Sequence, residues 1–202
     1  VRRIYLDANG ASPPSKAASA AILKALDLRG NASAFHEHGR SVRGVIDEAR
    51  HHVALGINAQ AKEIIFTSGA SEANRLFVDA LIDYGARGQK SLNVVMSPFE
   101  HPSLLKPVMR AHSRGQISLT IMETTASGAV LVSPEALSLA DVIIVTHAHN
   151  ETGIISDITN IMNHARSDAI IMSDISQAYA RLDPVPERVD VLAMSAQKMG
   201  GF

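Results

Sequence analysis

The sequence predicts an α/β domain of three layers built on a mostly parallel sheet, and two observations carry that reading. There are six short apolar runs, most of them continuous rather than alternating, as strands are when both faces of a parallel sheet are covered. Between several of them the apolar residues repeat with the period of a helix, which puts helices over the sheet. The runs are Ile64–Thr67, Asn93–Met96, Ile117–Met122, Val142–Thr146, Ala169–Ser173 and Val189–Met194. After the first, Ala73, Leu76, Phe77, Ala80, Leu81 and Tyr84 share one helical stripe, with Gly85 and Gly88 as stop signals. Further helices are predicted over Ser103–Ser113, over Ser133–Leu139 with Pro134 as the first helical residue, and over Ile158–Arg166. Ahead of the sheet, Ser15–Leu28 and Ser41–Leu55 read as two more helices, parted by Gly30 and Asn31. No repeat or long linker interrupts the chain. The expected organisation is an N-terminal arm with helices over residues 1–60 and a sheet domain over residues 61–202.

Composition narrows the function classes. With 46% hydrophobic and 19% charged residues in 202, the chain is globular rather than disordered. A formal net charge of -1 offers no excess to attract nucleic acid or an anionic membrane, so a small ligand or a protein partner is expected. Apolar stretches such as Val142–Val145 are too short to span a bilayer and no leader-like segment opens the chain, so a soluble, cytoplasmic protein is expected. The chain has no cysteine, which excludes disulfides, thiolate-bound metals and a cysteine nucleophile among these residues. It opens on Val1 and stops soon after Lys198, and the expectation is a piece of a longer protein.

Several segments could carry chemistry. Thr67-Ser68-Gly69-Ala70-Ser71-Glu72 runs into a helix, so free backbone N–H groups at a helix N-terminus could cup a phosphate; the alternative is a plain turn with Ser71 as N-cap. Asp174 ends the fifth run, on the edge where open α/β sheets bind ligands, and could equally cap the next turn. Lys198, in Ser195-Ala196-Gln197-Lys198 after the sixth run, is a candidate Schiff-base lysine if a partly dry pocket holds it; otherwise it is solvated. Ser195-x-x-Lys198 also matches a serine β-lactamase motif, but no Ser-Asp-Asn partner is present. Nine histidines raise a metal reading through His36-x-His38 and His147-x-His149, and without a carboxylate cluster at ligand spacing no metal is expected. His51 and His52 read as solvated helix surface, whereas His101 lies past the second run on the ligand edge, where it could stack on an aromatic ligand and exchange protons.

Taken in order, these segments resemble the cysteine desulfurase-like branch of the class V aminotransferases, pyridoxal-phosphate enzymes of fold type I. Tyr5-Leu-Asp7-Ala8-Asn9-Gly10-Ala-Ser12-Pro13 is similar to the family's opening, and Gly30-Asn31-Ala32-Ser33 with His36, Gly39 and Arg40 to its Gly-Asn-Pro-Ser loop. Phe66–Asn74 resembles the phosphate cup, Glu100-His101-Pro102-Ser103 the histidine segment, and His149-Asn150-Glu151-Thr152-Gly153 the Asn-Asn-Glu-Thr-Gly turn. Asp174-x-x-Gln177 and Ser195-x-x-Lys198 complete the set.

The resemblance implies pyridoxal 5'-phosphate as cofactor, with Lys198, His101 and Asp174 as catalytic residues. Lys198 would carry the cofactor as a Schiff base and move protons, Asp174 would pair with the pyridine nitrogen, and His101 would stack on the ring and act in proton transfer. Asn150 and Gln177 would hold the phenolic oxygen side, and Ala70, Ser71, Ser195 and Gln197 the phosphate. It implies removal of sulfur from L-cysteine to give alanine and a persulfide, a homodimer, a sulfur-acceptor protein and iron–sulfur cluster assembly. The large domain would be partial here, with the reactive cysteine and the small C-terminal domain beyond these residues on the same or a second chain. Ala8, His149 and Gln197 depart from the family pattern: Gln197 keeps an N–H donor, while the other two fall on the substrate side. The alternatives are another class V enzyme, such as a selenocysteine lyase, an amino-acid lyase or an aminotransferase, and a non-catalytic truncated or split paralogue that binds a partner.

Overall fold

The computed structural model describes residues 3–201. They fall into two compact units, one of residues up to Phe66 with those from Met199 onward, the other Thr67–Lys198. In the first unit, α1 (Lys16–Leu26) starts where the Ser15 side chain accepts the Ala18 N–H at 3.0 Å. Helix α2 (Glu37–Gly56) starts at His36, whose Nδ1 accepts the Gly39 N–H at 3.2 Å. His36 is thus spent as a cap, and His51 and His52 are exposed on α2. Among the described residues no helix is long and apolar enough to cross a membrane.

The second unit carries the sheet. Its elements are α3 (Ala70–Arg87), β1 (Leu92–Met96), α4 (Pro102–Ser113), β2 (Ile117–Ile121), α5 (Pro134–Leu139), β3 (Val142–Ile144), α6 (Ile158–His164), β4 (Ile170–Asp174) and β5 (Val191–Ala193). The order across the sheet is β2-β1-β3-β4-β5 and every pair is parallel. Successive residues of each strand face opposite sides, which splits the core in two. Val94, Met96, Val142, Ile144 and Met172 pack with Val78 and Leu81 of α3 and Leu104 and Val108 of α4. Val95, Ile143, Val145 and Ile171 pack with Leu137 of α5 and Ile158, Ile161 and Met162 of α6. This is the three-layer, mostly parallel α/β arrangement that the continuous apolar runs predict: the inner strands β1, β3 and β4 are buried on both faces, while edge strand β2 is largely exposed on one.

Two expectations need correction. The run Ile64–Thr67 is not a strand: it is irregular, pairs with no strand among the described residues, and leaves Ile65 75% and Phe66 49% exposed. Apolar composition measures a tendency to be buried, but a strand also needs a neighbour to complete its ladder. The helix after that run does not stop at Gly85 but continues to Arg87, with Gly88 as its C-cap. Gly85 is buried there, and a Cβ on it would lie 3.0 Å from the Lys90 carbonyl oxygen, so this glycine permits close approach rather than ending the helix.

Candidate active site

The C-terminal ends of the strands converge on one crevice. In this strand order the chain leaves β1 toward one side and β3 toward the other, and open α/β sheets bind ligands at such a switch point. A cavity of about 210 Å³ lies at this edge. The first turn of α3 contributes Ala70 and Ser71, the segment after β1 contributes Phe99 and His101, and the segment after β3 contributes Thr146, Ala148 and Asn150. Asp174 and Gln177 come from the end of β4 and beyond it, and Ser195, Gln197 and Lys198 from the turn after β5. All nine residues singled out as cofactor-binding from the sequence therefore line the same cavity, although they span 70 to 198 in the chain.

The start of α3 leaves backbone donors uncapped. Its N-cap is Gly69, at φ +151°, a backbone conformation that L side chains rarely adopt, and no side chain caps the helix. Ser71 is accordingly the second helical residue and not the cap. The Glu72 carboxylate turns back to accept the Ser68 N–H at 2.5 Å, and that bond holds its carboxyl below the usual range. The N–H groups of Ala70 and Ser71 have no acceptor among the described residues, so two donors at the positive end of an 18-residue helix are open to a ligand.

Asp174 is 6% exposed, and each of its carboxylate oxygens accepts one hydrogen bond. Its Oδ1 accepts the Ser176 N–H at 2.9 Å, the turn-capping use expected of such an aspartate, and its Oδ2 accepts Asn74 Nδ2 at 3.1 Å. Asn74 Nδ2 also donates to Ser103 Oγ at 2.9 Å, and that hydroxyl lies 2.7 Å from His101 Nδ1. Glu100 lies beneath the same crevice: its Oε1 accepts the Thr146 N–H at 2.6 Å, and Thr146 Oγ1 donates to the Asp174 carbonyl oxygen at 3.3 Å. Burial above all, with the Asp174 charge adding to it, pushes the Glu100 carboxyl up to about 8, against the pull of the Thr146 and Ser97 hydrogen bonds. Burial also lowers the pKa of half-buried His147.

The substitution at His149 is absorbed locally. Its Nδ1 accepts the Thr152 N–H at 3.3 Å, as an asparagine carbonyl oxygen would in the same turn, and its ring lies 5.3 Å from that of Phe99. Gln197 is exposed, and the Gln177 side chain accepts Arg181 at 2.7 Å.

Asn74, Glu100, Ser103 and Thr146 were not singled out as site residues from the sequence. One signal did exist for Asn74: it shares the buried stripe of α3 with Val78, Leu81 and Gly85, and an amide on such a stripe needs a polar partner. Its Oδ1 is buried without one, as is Ser176 Oγ at the cavity wall.

A second cavity, of about 550 Å³, opens at the opposite edge, where β1, β3 and β4 begin. Its charges are largely matched internally: Lys90 and Arg166 reach Asp141 at 2.6 and 3.1 Å, and Arg166 reaches Asp168 at 2.7 Å.

The class V aminotransferase model matches residues 4–202. The chain belongs to that family. Cysteine desulfurase IscS of Tolumonas auensis is 31% identical over 208 residues, which cover 98% of this chain and 51% of that protein. The IscS of Shewanella woodyi matches to the same extent. The chain thus spans about half the length of the curated relatives it matches. Among solved structures, SspA in complex with cysteine superposes with a TM-score of 0.88 at 26% identity, over 99% of this chain and 59% of that one. The apo cysteine desulfurase of Thermococcus onnurineus gives 0.86 at 25%, over 98% and 50%. These enzymes share the α/β fold of the pyridoxal-phosphate-dependent class, and the family is pyridoxal-phosphate dependent. The cavity fits that cofactor chemically. Open N–H donors at a helix N-terminus suit its phosphate, a buried carboxylate suits a protonated pyridine nitrogen, and a lysine shares the cavity.

Proposed function

We propose that the cavity binds pyridoxal 5'-phosphate and that the protein acts as a cysteine desulfurase-like enzyme, releasing sulfur from L-cysteine. The observation that carries the reading is the convergence of Lys198, Asp174, His101 and the open N–H groups of Ala70 and Ser71 on one cavity. Relatives named cysteine desulfurase, and the similarity to a structure that holds cysteine, support the substrate class.

Bound there, the cofactor would supply an electron sink that stabilises negative charge at the substrate's α-carbon. The other work falls to the chain. Ala70 and Ser71, with Ser195 and Gln197, would hold the phosphate. The Asp174 carboxylate, oriented by Asn74 and Ser176, would keep a proton on the pyridine nitrogen. Asn150 and Gln177 would serve the phenolic oxygen. Lys198 Nζ would anchor the cofactor covalently and carry a proton to and from the α-carbon, with His101 as a second proton-bearing group. The chain has no cysteine, so a persulfide would form on a thiol outside these residues. The second reading is a class V lyase or aminotransferase that needs no thiol.

Incubation with pyridoxal phosphate, borohydride reduction and intact-mass analysis test the cofactor. A pyridoxyl adduct mapping to Lys198 is expected, and an unmodified chain overturns the reading. Assay of the adduct-competent protein with L-cysteine then separates desulfuration, which yields alanine and sulfane sulfur, from lyase or aminotransferase chemistry.

A further inference from the structure

Two side chains, Asn74 and Ser103, link His101 and Asp174, the two groups that flank the candidate cofactor site, and the contacts assign their donors and acceptors. The Asn74 amide turns its NH2 group to Asp174, with Nδ2 donating to Oδ2 at 3.1 Å. The same nitrogen lies 2.9 Å from Ser103 Oγ, which must therefore accept its second hydrogen. With that oxygen accepting from Asn74, the serine's own hydrogen is free for its other neighbour, His101 Nδ1, at 2.7 Å. The Ser103 backbone N–H also donates to Nδ1, at 3.2 Å, because His101 is the N-cap of α4. Two donors converge on one ring nitrogen, and a hydrogen on Nδ1 would oppose both. In the neutral ring the proton then sits on Nε2, which has no protein partner among the described residues, on a side chain that lines the cavity.

We propose that Asn74 and Ser103 are positioning residues that fix His101 as the imidazole protonated at Nε2 and tie it to the Asp174 carboxylate. The wiring stands on the contacts alone, while its consequence rests on the proposed function: His101 offers the bound ligand a hydrogen-bond donor at Nε2. Ser103 and Asn74 act through His101 and Asp174, with no role in touching substrate.

The test is long-range proton–nitrogen NMR of the histidine-labelled whole protein, with the His101 signals identified by their loss in His101→Gln. The wild type is expected to show His101 protonated at Nε2. In Ser103→Ala a second population protonated at Nδ1 is expected to appear, and Ser103→Thr, which restores the hydroxyl, is expected to remove it. Asn74→Ala is expected to give the same second population, and if that buried variant does not fold the Ser103 pair carries the test by itself. A wild-type ring protonated at Nδ1, or a Ser103→Ala spectrum identical to the wild type, overturns the proposal. The borohydride adduct, measured on the same samples, keeps the two readings apart. An Nε2-protonated ring without an adduct supports the wiring and sinks the cofactor assignment, whereas an adduct with an Nδ1-protonated ring does the reverse.

Discussion

The two edges of the sheet make opposite use of polar groups. At the N-terminal edge the cavity is larger, about 550 against 210 Å³, yet Asp141 takes up Lys90, Arg166 and the Asn93 N–H, and little is left over for a ligand. At the C-terminal edge two helix N–H groups, Asn74 Oδ1 and Ser176 Oγ lack partners, and Gly69 adopts a backbone conformation that a side chain would strain. Of these, Asn74 Oδ1 and Ser176 Oγ are buried, and a buried polar group left unsatisfied costs on the order of 1–3 kcal/mol. Ser176 lines the cavity, where a ligand can offset that cost. Unmet hydrogen-bonding capacity, and not volume, distinguishes the candidate site.

The largest test of that contrast is Lys198→Ala, which is expected to abolish the pyridoxyl adduct completely while leaving the denaturant midpoint close to the wild type. Adduct retained elsewhere on the chain would break the comparison. At the other edge, Asp141→Ala is expected to cost about 2–3 kcal/mol in denaturant unfolding, because it strands two cations and a backbone N–H, with no loss of adduct. The pH dependence has a definite sign. Burial works to raise the Asp141 carboxyl, but Lys90, the Asn93 N–H and Arg166 outweigh it and hold the group below its usual value. Its contribution is therefore present above the unfolded pKa of about 3.9 and lost as the pH falls through the folded one, so Asp141→Asn should flatten the acid limb of a stability profile.

Glu100 behaves in the opposite sense. Its carboxyl is raised from 4.5 to about 8, so the folded state holds a proton that the unfolded state has released. Stability from this group is complete at low pH and falls as the pH rises through that window. Glu100→Gln keeps an acceptor for Thr146 and cannot ionise. Its stability relative to the wild type should rise from pH 4.5 to about 8, as read from urea midpoints across that range, and a constant difference would refute a neutral Glu100. The smallest effect is expected for Arg87→Ala, on the rim of the larger cavity, within about 0.5 kcal/mol of the wild type. A phosphate-dependent rise in Tm that this substitution removes would make the N-terminal edge a ligand site after all.

Asp174, His101 and Lys198 were legible because each ends or follows a strand, and the rhythm of apolar runs places strand ends. The links that orient them were not. Asn74 meets Ser103 across 29 positions and Asp174 across 100, and Glu100 meets Thr146 across 46. Those distances close only when β1, β3 and β4 are in register with α3 packed above them. Ile64–Thr67 was misread for a related reason: its apolar residues resemble a strand, and nothing local reports whether a pairing edge is present.

The sequence by itself determined the alternation of helices and strands, the apolar stripes that bury both faces of the sheet, and the order of motifs that points to a pyridoxal-phosphate family. These are local properties, written in periods of two and 3.6 residues and in short spacings. Only the tertiary structure decided which helix starts stay uncapped, why Gly85 lies inside α3, and how Asn74 joins Asp174 to His101. Hydrogen-bond partners and free edges are relations between distant segments, and they exist only once the sheet has brought those segments together.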